Sequence, residues 1–251
     1  MSDEAIPAAT LVVWRDPEGS SSRKPEILVV ERSAKMAFAA GAIVFPGGRI
    51  DAADRSLAEA VGQPGEAAKI TAIRETIEET GVIAGLSGSF DPEMGAVLQQ
   101  ALIEGADFAQ LLARHQLAFD LGSLTPFTRW MPAFKHARRF DTLFYLARAP
   151  EGDWRPNPQP GECEAAEWAS TTDLLQRIEL GEASAIFPTK RNLERLAQHA
   201  NLEAALSDAA AHSLETIIPW IEEIDGEPHV RIPDNRGYPI TAEPLATAFR
   251  A

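Results

Sequence analysis

The sequence has little of what would stabilise a secreted protein or insert one into a membrane. Its 251 residues include one cysteine, Cys163, so no disulfide can form within the chain, and a lone thiol fits a reducing compartment. The longest run without a charged residue, 13 residues between Lys35 and Arg49, is too short to cross a bilayer. The acidic N-terminal stretch lacks the basic segment of a secretory signal. We therefore expect a soluble, cytoplasmic protein.

Positive charge is also scarce. There are 23 Lys and Arg residues against 37 Asp and Glu residues, a net charge of −14. Because no excess of cations is available to neutralise phosphates, this balance argues against a nucleic-acid partner and against an anionic membrane surface. A small anionic substrate stays compatible, since it needs only a local basic cluster or a bound metal. The length and the 45% apolar content fit one large domain with an extension.

The order of predicted elements is typical of an α/β fold with a mixed central sheet covered by helices. Strands are predicted at residues 8–14 and 26–31 as a hairpin, twice within 124–149, and at 164–169. Helices are predicted at about 66–80, within 93–117, at 173–180 after Thr172 or Asp173 as N-cap, and at about 189–211. We expect one domain over 1–180 and, packed on it, a C-terminal extension over 181–251 with a hairpin at Asp225-Gly226.

The most informative segment is an acidic helix over residues 66–82. Its isoleucines form an apolar stripe at Ile70, Ile73 and Ile77, and its acids lie almost opposite at Glu75, Glu78 and Glu79. A solvated acidic face is the ordinary explanation of such a charge run. Two features weigh against it: the glutamates repel one another at this spacing, and the last turn before a Gly81 C-cap disfavours anions. A divalent cation would relieve both conflicts, and all-carboxylate ligation suits Mg²⁺ or Mn²⁺.

Residues 74–82, RETIEETGV, resemble the second half of the Nudix box, R-E-U-x-E-E-x-G-U, in which U is apolar. The first half of that box is G-x5-E-x7-R-E. Counting back from Arg74 gives Glu66 as the box glutamate, and the expected glycine pair ends at Gly48. Seventeen residues separate Gly48 from Glu66 where the box has five, which predicts a 12-residue insertion at about 51–62.

The resemblance implies a Nudix α/β/α sandwich in which the box forms a loop, a helix and a second loop. It implies metal binding by the box acids and by a backbone carbonyl of the glycine pair, with Mg²⁺ or Mn²⁺ as cofactor. The metals would neutralise a diphosphate and activate the water that attacks phosphorus. The residues so implicated are Glu75, Glu78, Glu79 and Gly48 (or Gly47) for the metal, Arg74 and Glu66 for orienting the carboxylates, and Glu75 and Arg74 for catalysis.

Nudix enzymes often supply a further carboxylate from a loop before a tryptophan-bearing strand. Here Glu162 stands six residues ahead of Trp168. We expect Glu162 to be an additional metal ligand or the general base, with Glu164 as the second choice. Glu75 competes for the role of base, and a solvated loop acid is the alternative explanation.

Residues 28–51 resemble the motif that precedes the box in coenzyme A diphosphatases of this superfamily. Arg32 and Phe45 match that motif and are expected to bind substrate, whereas Ala37 stands where a second arginine is expected. Arg138 and Arg139 form a separate basic cluster before a predicted strand and could reach a phosphate. A solvated loop of bases is the alternative there.

We therefore expect a metal-dependent hydrolase that cleaves a diphosphate linkage in a nucleoside diphosphate derivative. Coenzyme A or acyl-CoA is the leading substrate, and ADP-ribose or a dinucleotide is the alternative. A non-catalytic Nudix-fold nucleotide sensor is the rival, but the complete set of box glutamates and the acidic extension favour the enzyme. The apolar stripe of the extension, at Leu214, Ile217, Ile218 and Ile221, is expected to be buried, with a homodimer interface or a lid over the site as the roles left open.

Overall fold

A mixed sheet of seven strands runs through the centre of the protein. The computed structural model describes residues 5–16, 24–36, 39–132 and 139–248. The strands are β1 (Ile6–Arg15), β2 (Glu26–Arg32), β3 (Ile43–Val44), β4 (Gly47–Arg49), β5 (Leu86–Ser87), β6 (Ala118–Phe119), β7 (Thr125–Trp130), β8 (Phe140–Arg148), β9 (Cys163–Ser170), β10 (Trp220–Ile224), β11 (Glu227–Arg231) and β12 (Ala242–Pro244). The central sheet has the order β3-β2-β1-β8-β7, with β4 paired to β1 and β9 to β2. Only its β1–β8 pair is parallel among the described pairs.

Helices cover both faces of this sheet. They are α1 (Ala52–Ala60), α2 (Ala67–Thr80), α3 (Pro92–Ile103), α4 (Phe108–Arg114), α5 (Thr171–Glu179), α6 (Phe187–Leu196), α7 (Leu202–Ala211) and α8 (Leu245–Ala248). Within the described ranges, no helix is both long enough and apolar enough to cross a membrane.

The alternation along β1 explains why the sheet has helices on two sides. Ala9, Leu11 and Val13 face the core that contains α2, whereas Val12 and Trp14 face a second core that contains α6 and α7. All five side chains are fully buried. Because successive residues of a strand point to opposite faces, a central strand with apolar residues on both faces requires a layer on each side. The predicted α/β/α sandwich is confirmed.

Most of the predicted elements are present, with two corrections in the helices. The hairpin of β1 and β2 forms, and α2 ends at Gly81, whose φ is 71°. The N-cap of α5 is Ser170, whose hydroxyl accepts a hydrogen bond from the backbone N–H of Asp173, and not Thr172 or Asp173. The helix predicted over 189–211 is two helices, because Asn201 caps the start of α7 with its side chain.

The last 70 residues add helices and a small sheet to the second core. The hairpin at Asp225-Gly226 forms as predicted, with Ile224 opposite Glu227. Of the four members of the apolar stripe, only Ile217 is buried within the chain, and burial of the other three against a second copy stays a prediction. Leu214, Ile218 and Ile221 are exposed at 39%, 44% and 49%. The domain boundary at residue 180 and a role of the extension in a dimer or as a lid stay predictions.

Candidate active site

The acidic helix α2 is buried on almost every side. The isoleucine stripe is fully buried, as predicted. Glu79 is only 2% exposed, so its carboxylate is not part of a solvated face. Thr76, at a box position that is usually apolar, is also buried, and its hydroxyl is satisfied by donating to the carbonyl of Ala72 at 2.7 Å. The helix therefore presents its glutamates to an enclosed region at one end of the sheet.

Arg74 is the centre of the polar contacts in this region. Its guanidinium lies 2.8 Å from a carboxylate oxygen of Glu75 and 3.1 Å from one of Glu78. It also binds Asp54 through two parallel bonds, from Nε at 2.9 Å and from Nη2 at 3.0 Å. A planar guanidinium held in this way has a fixed orientation.

Asp54 is a site residue that sequence reasoning missed. It belongs to α1, is 2% exposed, and accepts hydrogen bonds from the Thr71 hydroxyl at 2.8 Å and the Asp51 backbone N–H at 3.0 Å in addition to Arg74. Glu66, which was predicted to hold this position, instead pairs with Lys69 at 3.1 Å and is 35% exposed. Asp54 therefore occupies the place beside Arg74 that the sequence count gave to Glu66.

The contact between Asp54 and Arg74 also changes the position inferred for the 12-residue insertion in the Nudix box. Asp54 stands six residues after Gly48, which is the spacing from glycine to acid in the Nudix box. Nineteen residues then separate Asp54 from Arg74, where the box has seven, so the 12 additional residues lie after Asp54. They were predicted at about 51–62, which would have put Asp54 inside the insertion. They include most of α1 and the 3-10 turn Pro64–Glu66.

The glycine pair lies directly against the acidic helix. The backbone N–H of Gly47 donates to the carboxylate of Glu79 at 3.1 Å. Gly48 pairs with Ala9 on β1 and lies so near Glu75 that a Cβ at this position would overlap the Glu75 carboxylate. A side chain at Gly48 would therefore displace the Glu75 carboxylate. The carbonyl predicted as a metal ligand lies in this strand, and its role stays a prediction.

The three glutamates hold their protons more tightly than exposed carboxyls. Burial raises the pKa of Glu75 to about 7, against the opposing charge of Arg74, and the charge of Glu78 adds to the increase. Burial also raises the pKa of Glu78 and, further, that of Glu79. The charge of Glu162 contributes to both of these increases, which places its carboxylate within electrostatic range of the cluster. The protein by itself leaves this cluster short of positive charge.

This donor set fits a hard divalent cation, which prefers carboxylate oxygens. Within the described ranges, no three His, Cys, Asp or Glu side chains are already gathered round one point that could hold a metal ion. The carboxylates of Glu75 and Glu78 are turned towards Arg74 instead. The predicted role of these two side chains as metal ligands would need a carboxylate oxygen of each to turn towards the ion.

The loop before β9 carries Glu162 at the edge of the cluster. Glu162 is exposed, and its backbone carbonyl accepts a hydrogen bond from the Ser33 N–H at 2.7 Å. Glu164 lies farther along and accepts from the Ser33 hydroxyl at 2.7 Å. Cys163, between them, is buried, and burial together with the charge of Glu79 raises its pKa to about 12. The thiol is therefore protonated at neutral pH and is no nucleophile.

The predicted substrate residues have different positions. Arg32 ends β2, and its charge lowers the pKa of Glu79, so it lies near the cluster. Phe45 is 3% exposed and packs edge-on against Phe144 in the second core, so it contributes to the core and does not line the site. Arg139 directly precedes β8, where its carbonyl accepts from the N–H of Ile6. Arg138 and Ala37 lie outside the described residues.

Comparison with known proteins agrees with this fold. Residues 6–188 match the NUDIX domain family, and the chain belongs to that family. The crystal structure of a NUDIX hydrolase from Alicyclobacillus acidocaldarius is 32% identical in sequence and has a TM-score of 0.68, covering 84% of this chain and 97% of that one.

Two curated relatives are more specific. Acyl-coenzyme A diphosphatase NUDT19 from Gallus gallus is 24% identical, over 85% of this chain and 74% of its own length. The protein of the same name from Homo sapiens is 25% identical, over 89% of this chain and 78% of its own length. The chain is thus a Nudix-type hydrolase, an enzyme that acts on diphosphate linkages.

Proposed function

We propose that this hydrolase depends on a divalent metal and cleaves the diphosphate bridge of coenzyme A or an acyl-CoA. The observation that carries the metal dependence is the buried cluster of Glu75, Glu78 and Glu79. All three have a raised pKa, chiefly because burial disfavours their anionic forms. A bound divalent ion would stabilise the anionic forms of these three adjacent carboxylates.

Glu75, Glu78 and Glu79 would hold the ion, with Glu162 at the edge of the site. When bound, Mg²⁺ or Mn²⁺ supplies charge neutralisation for the diphosphate and acidifies the attacking water. Arg74 has a separate task. Because Asp54 holds it through two bonds, Arg74 stays in place when the glutamates turn away, and it keeps a positive charge beside them.

The reaction is a hydrolysis at phosphorus. Water adds to one phosphorus of the bridge, the bond from that phosphorus to the bridging oxygen breaks, and a phosphate monoester leaves with that oxygen. One water is consumed and two phosphate monoesters are formed; where both monoesters are dianions, two protons are released. The leaving group needs no protonation by a strong acid, because a monoester is a stable anion in water.

Glu162 and Glu75 are the two candidates for removing the proton of the attacking water. Glu162 is exposed and lies on a loop, so it can reach a water without losing metal contacts. Glu75 is engaged by Arg74 and belongs to the proposed metal ligands. We favour Glu162, and expect Glu162→Gln to lower kcat with little loss of Mn²⁺ affinity, whereas Glu75→Gln should lower both.

The substrate assignment is supported by the two curated relatives, which are acyl-coenzyme A diphosphatases and are matched over most of their length. Arg32, near the cluster, is a cation that could meet a substrate phosphate. Ala37 argues against a coenzyme A substrate, because the motif that precedes the box in coenzyme A diphosphatases has an arginine at this position. The substrate therefore has to be tested against other nucleoside diphosphate derivatives.

The test is a cleavage panel with the purified protein and Mg²⁺ or Mn²⁺. The panel contains coenzyme A, an acyl-CoA, ADP-ribose, NADH and a diadenosine polyphosphate, and products are identified by chromatography. We expect 3′,5′-ADP and a 4′-phosphopantetheine product, both lost in Glu79→Gln and after removal of metal by EDTA. Preferred cleavage of ADP-ribose or a dinucleotide would reject the coenzyme A assignment, and full activity in EDTA would reject the metal dependence.

A further inference from the structure

The C-terminal end of the acidic helix is tied to neighbouring segments by hydrogen bonds that the reaction scheme above does not use. The last carbonyls of a helix lack partners within the helix and have to be satisfied from elsewhere. Here the carbonyl of Ile77 accepts from Gly81, that of Glu78 from the Gln99 side chain, that of Glu79 from the Gln159 N–H, and that of Thr80 from the Asn157 N–H. Three of these four donors come from outside the helix.

Gln99 makes the largest number of these connections. It lies on α3, is 1% exposed, and uses both ends of its amide. Its Nε2 donates to the carbonyl of Glu78 at 3.1 Å and to that of Asn157 at 2.7 Å, and its Oε1 accepts from the Asn157 side chain at 2.9 Å. One buried amide therefore joins the acidic helix to the loop before β9.

The same loop carries Glu162. The backbone N–H of Gln159 donates to the carbonyl of Glu79. The carbonyl of Gln159 accepts hydrogen bonds from the backbone N–H groups of Glu162 and Cys163 at 3.3 and 3.0 Å. Glu162 is in this way two hydrogen bonds from the end of α2. Its side chain is exposed, so packing does little to fix it, and the backbone of the loop determines where the carboxylate lies.

We propose that Gln99 is a positioning residue that fixes the Glu162 loop against the C-terminal end of the acidic helix. The inference rests on the proposed function, because the position of Glu162 matters for turnover only if Glu162 acts on the attacking water. Gln99 itself is buried, and its side-chain amide is used by Glu78 and Asn157, so it is not proposed to contact substrate or metal. Its removal should lower kcat much more than it changes KM.

The variant Gln99→Met tests this, since methionine has a similar length and a high helix propensity but no amide. We expect kcat to fall by about 10- to 100-fold, the range typical of residues that orient catalytic groups. Gln100→Met is the matched control: Gln100 is the next residue of the helix, is exposed, and bonds only to Glu104 among the hydrogen bonds described for it. It should behave as the wild type.

A double-mutant cycle separates positioning from general destabilisation. If Gln99 acts through Glu162, then Gln99→Met should have little further effect on kcat in a Glu162→Gln background. A full additional loss there would overturn the proposal, as would a Gln99→Met variant with wild-type kcat. Asn157→Ala is the substitute variant if Gln99→Met does not fold. Asn157 is exposed, and its replacement removes one hydrogen bond of the same connection. We expect a smaller decrease in kcat that is likewise absent in the Glu162→Gln background.

Hydrogen exchange measures the connection without reference to activity. In Gln99→Met, and not in Gln100→Met, the amides of residues 157–163 should exchange faster than in the wild type. Unchanged exchange there overturns the proposal. If the loop loosens while the wild type cleaves no diphosphate, the connection stands and the proposed function is the part that fails.

Discussion

Replacing Asp54 with asparagine should destabilise the protein and weaken its active site, whereas Glu66→Gln should do neither. Both residues are candidates for the acid that orients Arg74, the first by contact and the second by sequence spacing. Asp54→Asn keeps the volume of the side chain but removes its charge and one acceptor oxygen. The guanidinium of Arg74 would then lose a partner inside a buried region.

The size of the effect follows from burial. Asp54 is 2% exposed and accepts four hydrogen bonds, two of them from Arg74. Removing one partner of a buried ion pair typically costs about 3–5 kcal/mol, and the remaining contacts of asparagine put this variant at about 3 kcal/mol. For a chain of this size that corresponds to a decrease in Tm of roughly 6–12 °C. The pair of Glu66 and Lys69 is more exposed and should contribute about 0.5 kcal/mol.

The assay compares the two variants with the wild type in three measurements. Urea unfolding gives the free energy of unfolding, titration with Mn²⁺ gives the metal affinity, and cleavage of the best substrate gives kcat. Asp54→Asn should also lose about 10- to 100-fold in metal affinity or kcat, because Arg74 is no longer held. Glu66→Gln serves as the matched control with the same chemical change on the other acid.

Equal effects of the two substitutions would refute this reasoning, and so would a larger effect of Glu66→Gln. A larger effect of Glu66→Gln would support Glu66 as the box glutamate, which is the residue reached by counting back from Arg74. An Asp54→Asn variant that is destabilised but keeps the wild-type metal affinity and kcat would leave Asp54 a purely structural role.

Three further outcomes are expected. Gly48→Ala should abolish most activity because its methyl group would displace the Glu75 carboxylate, while Gly65→Ala, where nothing lies within 4 Å, should leave kcat unchanged. Because the pKa of Glu75 is about 7 in the folded protein, above its ordinary 4.5, the folded state binds more protons between these values. Urea unfolding of the metal-free protein should therefore show stability falling from pH 5 to pH 8, by up to about 3 kcal/mol from this group, with a shallower slope in Glu75→Gln. Mn²⁺ should raise the wild-type Tm at pH 8 by an amount that Glu79→Gln largely removes, and an equal increase in both proteins would contradict the assignment of Glu79 as a ligand.

The acidic helix could be predicted from the sequence because its information is local. Isoleucines and glutamates at helical spacing define the two faces, and Gly81 supplies the residue with positive φ that ends the helix. Burial of Glu79 could not be read from the spacing. It depends on the glycine pair and on the loop before β9, which approach the helix from distant parts of the chain.

The misplaced insertion has a specific physical origin. The box spacing counted forward from Gly48 reaches Asp54, and the spacing counted back from Arg74 reaches Glu66. Because the insertion lies between the two halves of the box, each count gives a different acid. Only the tertiary contact decides between them. The α1 helix folds back onto α2, and this brings Asp54 within 2.9 Å of Arg74. The six-residue step from Gly48 to an acid was the available signal.

The predictions for Phe45 and for the stripe of the extension rested on residue type, without the position of each residue in the fold. An aromatic residue in a motif suggests contact with a ligand, but Phe45 follows a strand whose next layer is the second core, and it is buried there. The four members of the stripe were expected to be buried, but the segment from Leu214 to Ile221 is an extended connection and the first residues of β10. Its side chains therefore do not share a single direction.

The acidic cluster opposes the stability of the fold, and the fold compensates it only in part. Glutamates near the C-terminal end of a helix repel one another and the helix dipole. Arg74, the Gly47 N–H and the donors to the last carbonyls of α2 all act against this repulsion. Even with these contacts, burial raises the pKa of Glu75 to about 7, so its anionic form is still disfavoured. A fold that completed the compensation with a second buried arginine would leave no free energy to be gained from a cation. Under the proposed metal dependence, the remaining deficit would favour binding of an ion from solution, and it would link metal affinity to the stability of the helix that carries the proposed ligands.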